Sequence, residues 1–252
     1  MATDTKSPQA TEYVLPPEFW PDVEHLVTED DTPVDGIFSE KQMRLLTEPL
    51  YSSPGWIGEG RRFVALANVG LFYAIRQPPY VPDMMLSLDV AFPESVHPKP
   101  HRSYFMWEYG KPPDVVVEIV SNNEGGEDTE KLTGYARIGV RYYVIYDPEQ
   151  LLDKRTLRGF ELQGMDYRPL AEPFWLPGVE LGLRLWQGCF EEYENTWLRW
   201  FDAAGEPIAT GAERAKQADE LAELQRQRAE QHRQRADRLA EQLRSLGVEP
   251  GA

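Results

Sequence analysis

The stretches VPDMMLSLDV (81–90), PPDVVVEIVS (112–121), EDTEKLTGYARIGV (127–140) and RYYVIYDP (141–148) succeed one another in the middle of the chain. MMLSLDV alternates with period two, and PPDVVVEIVS is a β-branched run after prolines, as suits a strand buried on both faces. Residues 127–138 read as a helix closed by Gly139, and the next strand stops at Asp147-Pro148. The pattern predicts a strand, strand, helix, strand frame with a β-α-β crossover, hence an α/β fold.

Two acids and a lysine in that frame stand out. Asp83 follows Pro82 at a strand entrance. On an extended chain Asp114, Val116, Glu118 and Val120 share one face, which sets the Glu118 charge among valines, where burial without a partner is costly. Lys131 and Tyr135, four residues apart on the helix, project from the same side. Singly, each has a plainer explanation: a turn aspartate after proline, a salt-bridged strand glutamate, a surface lysine paired with Glu127. Together, two carboxylates and an amine are the groups that metal-dependent phosphodiester hydrolysis uses. Mg²⁺ prefers hard oxygen ligands, and an ammonium steadies an attacking water or the developing phosphorane charge.

Outside this stretch, composition bounds the alternatives. The 252 residues are 41% hydrophobic and 12% aromatic, and all seven tryptophans precede residue 201, so one full core plus an appendage is expected. The single cysteine, Cys189, cannot form an intramolecular disulfide, which favours a reducing compartment. No basic, then apolar leader is visible and no apolar run is long enough to span a bilayer, so a soluble cytoplasmic protein without a membrane partner is expected. The net charge of −16 counts against a general nucleic-acid binder, although a metal can neutralise clustered carboxylates and a local basic patch can persist. His25, His97, His101 and His232 lack metal-ligand spacing, and Walker, GxSxG and CxxC motifs are absent.

Three regions are predicted. Residues 1–35 are rich in Pro, Asp, Glu and Thr and read as an irregular arm, with a docked segment around Phe19 and Trp20. Residues 36–208 form the main domain, opened by a helix with a capping box of Ser39 and Gln42. In it, Phe63–Ile75 supplies one or two strands, and short strands at 159–163, 167–171 and a 197–208 hairpin complete the sheet edge. Residues 209–252 read as one long helix whose heptad seam alternates small and polar residues, a candidate coiled coil or a solvated single helix.

Pro82-Asp83, Glu118 in an E-x-V strand, EKLxxYAxxGV and YYVIYDP, in that order, resemble the Uma2 family of the PD-(D/E)XK superfamily, over roughly residues 35–200. The resemblance implies a restriction-endonuclease-like mixed sheet flanked by helices. It also implies a divalent cation, Mg²⁺ or Mn²⁺, held by Asp83 and Glu118. Glu40 matches the place where such nucleases often add a further acidic ligand. The chain departs from the superfamily pattern at Val120, where a lysine normally stands; Lys131 on the following helix is carried into that role, with Tyr135 supporting it or contacting a phosphate.

The function so implied is a metal-dependent endonuclease acting on nucleic acid, DNA first. The segment KPHRSYF (99–105) offers Lys99, Arg102 and Tyr104 for backbone contact and base stacking, against the plainer reading of a solvated loop with packed aromatics. The competing function is a catalytically silent nuclease-like module that pairs with itself or a partner protein through its C-terminal helix.

Overall fold

The computed structural model describes residues 19–23, 36–58, 60–121 and 126–245. The chain divides into two compact units, Met1–Ile208 and Ala209–Ala252. In the first, a six-stranded mixed sheet runs in the order β1 (Phe63–Ala67), β3 (Met84–Leu88), β5 (Val115–Ile119), β6 (Tyr142–Tyr146), β7 (Leu157–Gln163) and β8 (Asp166–Pro169). β5 and β6 are parallel, joined over α3 (Glu130–Ile138), and the other neighbours are antiparallel. β5 is therefore interior, and all five of its residues are buried.

The alternation along β5 divides the core. Val115, Val117 and Ile119 join Met84, Leu86, Tyr142 and Val144 on one face. There the helix α1 (Ile37–Ser52) lays down Met43, Leu46 and Leu50, and a three-stranded sheet of β9 (Phe174–Leu176), β10 (Leu181–Phe190) and β11 (Tyr193–Phe201) adds Leu176, Leu183 and Trp200. On the opposite face Val116 and Val120 pack with Met85, Tyr143, Ile145 and Tyr135 of α3. A small parallel pair, β2 (Leu71–Phe72) and β4 (Tyr104–Phe105), completes that side, followed by the one-turn helix α2 (Met106–Tyr109). α3 ends on Gly139 at φ 91°, the left-handed conformation that glycine adopts without penalty. Gly134 lets α3 lie directly on Tyr80: a Cβ there would collide with the Tyr80 hydroxyl.

Some local expectations are corrected. Ser39 and Gln42 do not cap α1, which starts at Ile37. Instead the fully buried Gln42 amide bonds both the N–H and the C=O of Leu198, at 2.9 and 2.8 Å, docking the helix on β11. The late hairpin is β10–β11, turned by Glu191 and Glu192 with φ of 47° and 70°, and it belongs to a separate sheet; residues 202–208 contribute only an isolated bridge. Most of the 1–35 arm lies outside the described residues. Of the part described, Val23 is buried against Phe72 and Phe105 and Trp20 is half-buried, whereas Phe19 is exposed.

The second unit contains α4 (Gly211–Ser245). A capping box opens it: the Thr210 hydroxyl accepts the Glu213 N–H, and the Glu213 carboxylate accepts the Thr210 N–H. Leu221, Leu224 and Leu239 are exposed along it. No helix among the described residues is long and apolar enough to cross a membrane.

Two stability predictions follow from this packing. Gln42→Leu strands the Leu198 amide groups and is expected to cost about 1–3 kcal/mol in urea denaturation; an unchanged midpoint would contradict the docking role. In α2, burial pushes the Glu108 carboxyl up to about 7. A raised carboxyl binds its proton more tightly folded than unfolded, so its stabilising contribution is present below the ordinary 4.5 and is lost as pH rises through about 7. Melting temperatures across that window should fall less for Glu108→Gln than for the wild type.

Candidate active site

Strand pairing builds the site. Met84 and Met85 oppose Val117 and Val116, and one further step of this antiparallel register sets Asp83 against Glu118. By alternation Asp83 and Met85 lie on the same face as Val116 and Glu118. The Ile119 N–H donates to Asp83 Oδ2 at 2.5 Å, tying the carboxylate to the neighbouring strand. Asp83 is 9% exposed and Glu118 1%.

Glu118 is buried but not alone. Lys131 Nζ donates to its Oε2 at 2.8 Å and the Tyr135 hydroxyl to its Oε1 at 2.6 Å. Residues i and i+4 of α3 thus grip one carboxylate, which is why the spacing of lysine and tyrosine matters more than either alone. Burial raises the Glu118 pKa against the opposing pull of Lys131 and Tyr135. For Lys131 burial pushes the other way, yet Glu118 and Glu127 prevail and raise its pKa, so the amine remains an ammonium. Burial beside Glu118 also drives the Tyr135 hydroxyl well above its ordinary range, so Tyr135 stays a proton donor to the acid.

Glu127, in the turn before α3, is the other partner of Lys131, at 3.2 Å from Oε1. Its Oε2 is buried without a hydrogen-bond partner. The Tyr143 hydroxyl donates to the Glu127 backbone carbonyl at 2.8 Å and fixes the turn. Beside it, the buried Arg158 reaches Asp128 at 3.3 Å, with Nε and Nη2 unpartnered. The sequence reading met Glu127 only as a pairing partner for the lysine and did not single out Arg158; an i, i+4 acid before Lys131 was the available signal.

The other expected site residues are elsewhere. Glu40 lies on the exposed side of α1, bonded to Arg44 at 2.6 Å, and α1 covers the sheet face opposite Glu118. Burying Met43, Leu46 and Leu50 turns Glu40 away from the core, so it does not join Asp83 and Glu118. Tyr104 is fully buried, bonded to Ser87 and stacked on Tyr109 at 4.2 Å, so it offers no surface for a base. Arg102 is exposed, its Nε donating to the His97 carbonyl, and lines a cleft of about 620 Å³ with His97, His101, Phe92 and Tyr109. Lys99 sits in the adjoining helical turn. Val120 is packed into the core, so the strand position of the usual lysine is apolar here.

Paired carboxylates on neighbouring strands offer the hard oxygen donors that Mg²⁺ or Mn²⁺ takes, and the orphaned Glu127 oxygen adds to that donor chemistry. Among the described residues no three acids, histidines or cysteines are yet gathered round one cation position; the Lys131 ammonium lies between Glu118 and Glu127.

The six-stranded mixed sheet with its helices is the restriction-endonuclease-like architecture expected from the sequence. The chain belongs to the Uma2 family, described as putative restriction endonucleases, whose model matches residues 32–187. The family is one of nuclease-type hydrolases that act on nucleic acid. No curated protein matches the chain.

Tyr135→Phe leaves Glu118 Oε1 buried without its donor and is expected to lower stability by about 1–3 kcal/mol, read by thermal melting. An unchanged melting temperature would mean that the hydroxyl does not hold the carboxylate.

Proposed function

We propose that the protein is a divalent-metal-dependent endonuclease that hydrolyses phosphodiester bonds, with DNA as its substrate. The observation that carries this reading is the buried Glu118 carboxylate, set beside Asp83 and gripped by Lys131. Asp83 and Glu118 would hold Mg²⁺ or Mn²⁺, which supplies polarisation of a phosphate oxygen and a more acidic water. Because the Ile119 amide tethers Asp83 and Tyr135 tethers Glu118, these ligands are held in place before substrate arrives. Lys131, kept protonated by its two glutamates, acts as a cation and not as a base: it orients the attacking water or offsets the charge that builds on the phosphate. Arg102, His97 and His101 give the acidic protein a local cluster of basic types at a cleft, suited to a nucleic-acid backbone.

The test is cleavage of supercoiled plasmid and single-stranded oligonucleotides with Mg²⁺ or Mn²⁺, with and without chelator. Cutting is expected to need metal and to fall by about 10²-fold or more in Asp83→Ala, Glu118→Gln and Lys131→Met. No cutting by folded wild type across substrates and metals would overturn the reading in favour of a silent module acting through residues 209–252.

A further inference from the structure

Glu127 has features that an anchor for Lys131 does not explain. It is only 6% exposed, yet one of its two carboxylate oxygens is buried with no donor. Buried polar atoms in folded proteins are almost always satisfied, and a buried carboxyl oxygen without a partner is a costly exception. The chain nonetheless holds this group firmly. Tyr143 fastens its carbonyl, and the turn begins at Gly126 with φ 68°, whose carbonyl accepts the Lys131 N–H at 3.0 Å. The carboxylate is also aimed at the site, since its other oxygen shares the Lys131 ammonium with Glu118. Glu118 and Glu127 thus share one ammonium, and Asp83 stands opposite Glu118 in the strand register. A single positive charge bridging two carboxylates is the arrangement that a divalent cation replaces with gain, because it offers twice the charge and accepts several oxygens at once.

We propose that Glu127 supplies a third carboxylate to a divalent cation, which displaces the Lys131 ammonium from between Glu118 and Glu127. The inference rests on the reading of Asp83 and Glu118 as cation ligands and replaces Glu40 as the additional acid. While the ammonium bridges the glutamates, no three carboxylates among the described residues are gathered round one cation position, and binding a cation there would require the Glu127 carboxylate to turn in beside Asp83 and Glu118. Lys131 Nζ, released from Glu118 Oε2, is then free to face the substrate phosphate. The lysine therefore serves as counter-ion in the empty site and as phosphate partner in the loaded one.

The experiment is Mn²⁺ binding by titration calorimetry, with melting temperature against Mn²⁺ as a second readout, on wild type, Glu118→Gln, Glu127→Gln, Lys131→Met and the double variant Glu127→Gln/Lys131→Met. Glu127→Gln is expected to weaken Mn²⁺ binding by about 10- to 100-fold. Lys131→Met is expected to bind Mn²⁺ more tightly than wild type and to gain more melting temperature from it, because the competing ammonium is gone. Adding Glu127→Gln to Lys131→Met must weaken binding again by a similar factor, which a residue that merely anchors the lysine would not do. If Glu118→Gln abolishes binding while Glu127→Gln leaves it unchanged in both backgrounds, the inference is overturned and the endonuclease reading stands. If Lys131→Met does not fold, the wild-type and Glu127→Gln affinities decide: equal affinities overturn the inference. Folded wild type that binds no Mn²⁺ overturns both this inference and the ligand assignment beneath it.

Discussion

A carboxylate in the middle of the interior strand is the constraint around which this domain is arranged. Glu118 sits on β5 with valines on either side along its face, and removing its charge from water is tolerable only because donors converge on it. Those donors come from α3, so the helix must dock with Lys131 and Tyr135 over the sheet. Docking in turn requires the β5–α3–β6 crossover, the Gly139 ending and the bare backbone at Gly134 beneath Tyr80. Local sequence, packing and chemistry therefore answer to the same residue.

The two faces of the sheet divide the labour. One is an apolar platform, where α1 and the β9–β10–β11 sheet bury leucines and Trp200. The other mixes tyrosines with ionisable groups: Tyr135 bonds Glu118 and Tyr143 bonds the Glu127 turn. Tyrosine suits this role because its ring fills core volume while its hydroxyl still satisfies a buried acceptor. Stability comes chiefly from the first face, and the second can carry the destabilising polar groups that chemistry demands.

Legibility in the sequence followed the range of the interactions. The strands at 84–88, 115–119 and 142–146, the helix before Gly139 and the long helix after Thr210 announce themselves by local period and punctuation. So did the meeting of Lys131 with Tyr135, since i, i+4 spacing on a helix is a local fact. Gln42 misled because its true partner, Leu198, is 156 residues away, while a serine three positions earlier mimics a cap. The β10–β11 hairpin escaped notice because its turn is Glu191-Glu192, without the Asn or Gly that usually supplies positive φ; Lys41 and Arg44 of α1 hold Glu191 there. Glu40 and Tyr104 failed for a related reason: which way a side chain faces is decided by the packing of whole elements, and residue type alone does not record it.

Placing the amine on a helix instead of the strand has an evolutionary consequence. A lysine two residues beyond an acid on the same strand is locked to it by the pleat, and its reach is inherited with the backbone. Here the acids stand on strands and the amine on a helix, and the seam between them includes the contact of Gly134 with Tyr80. Substitutions along that seam can slide the amine relative to the carboxylates while leaving every ionisable group intact. Descendants of such a fold can retune or silence their chemistry by adjusting packing alone, and a survey confined to the charged residues would not register the change.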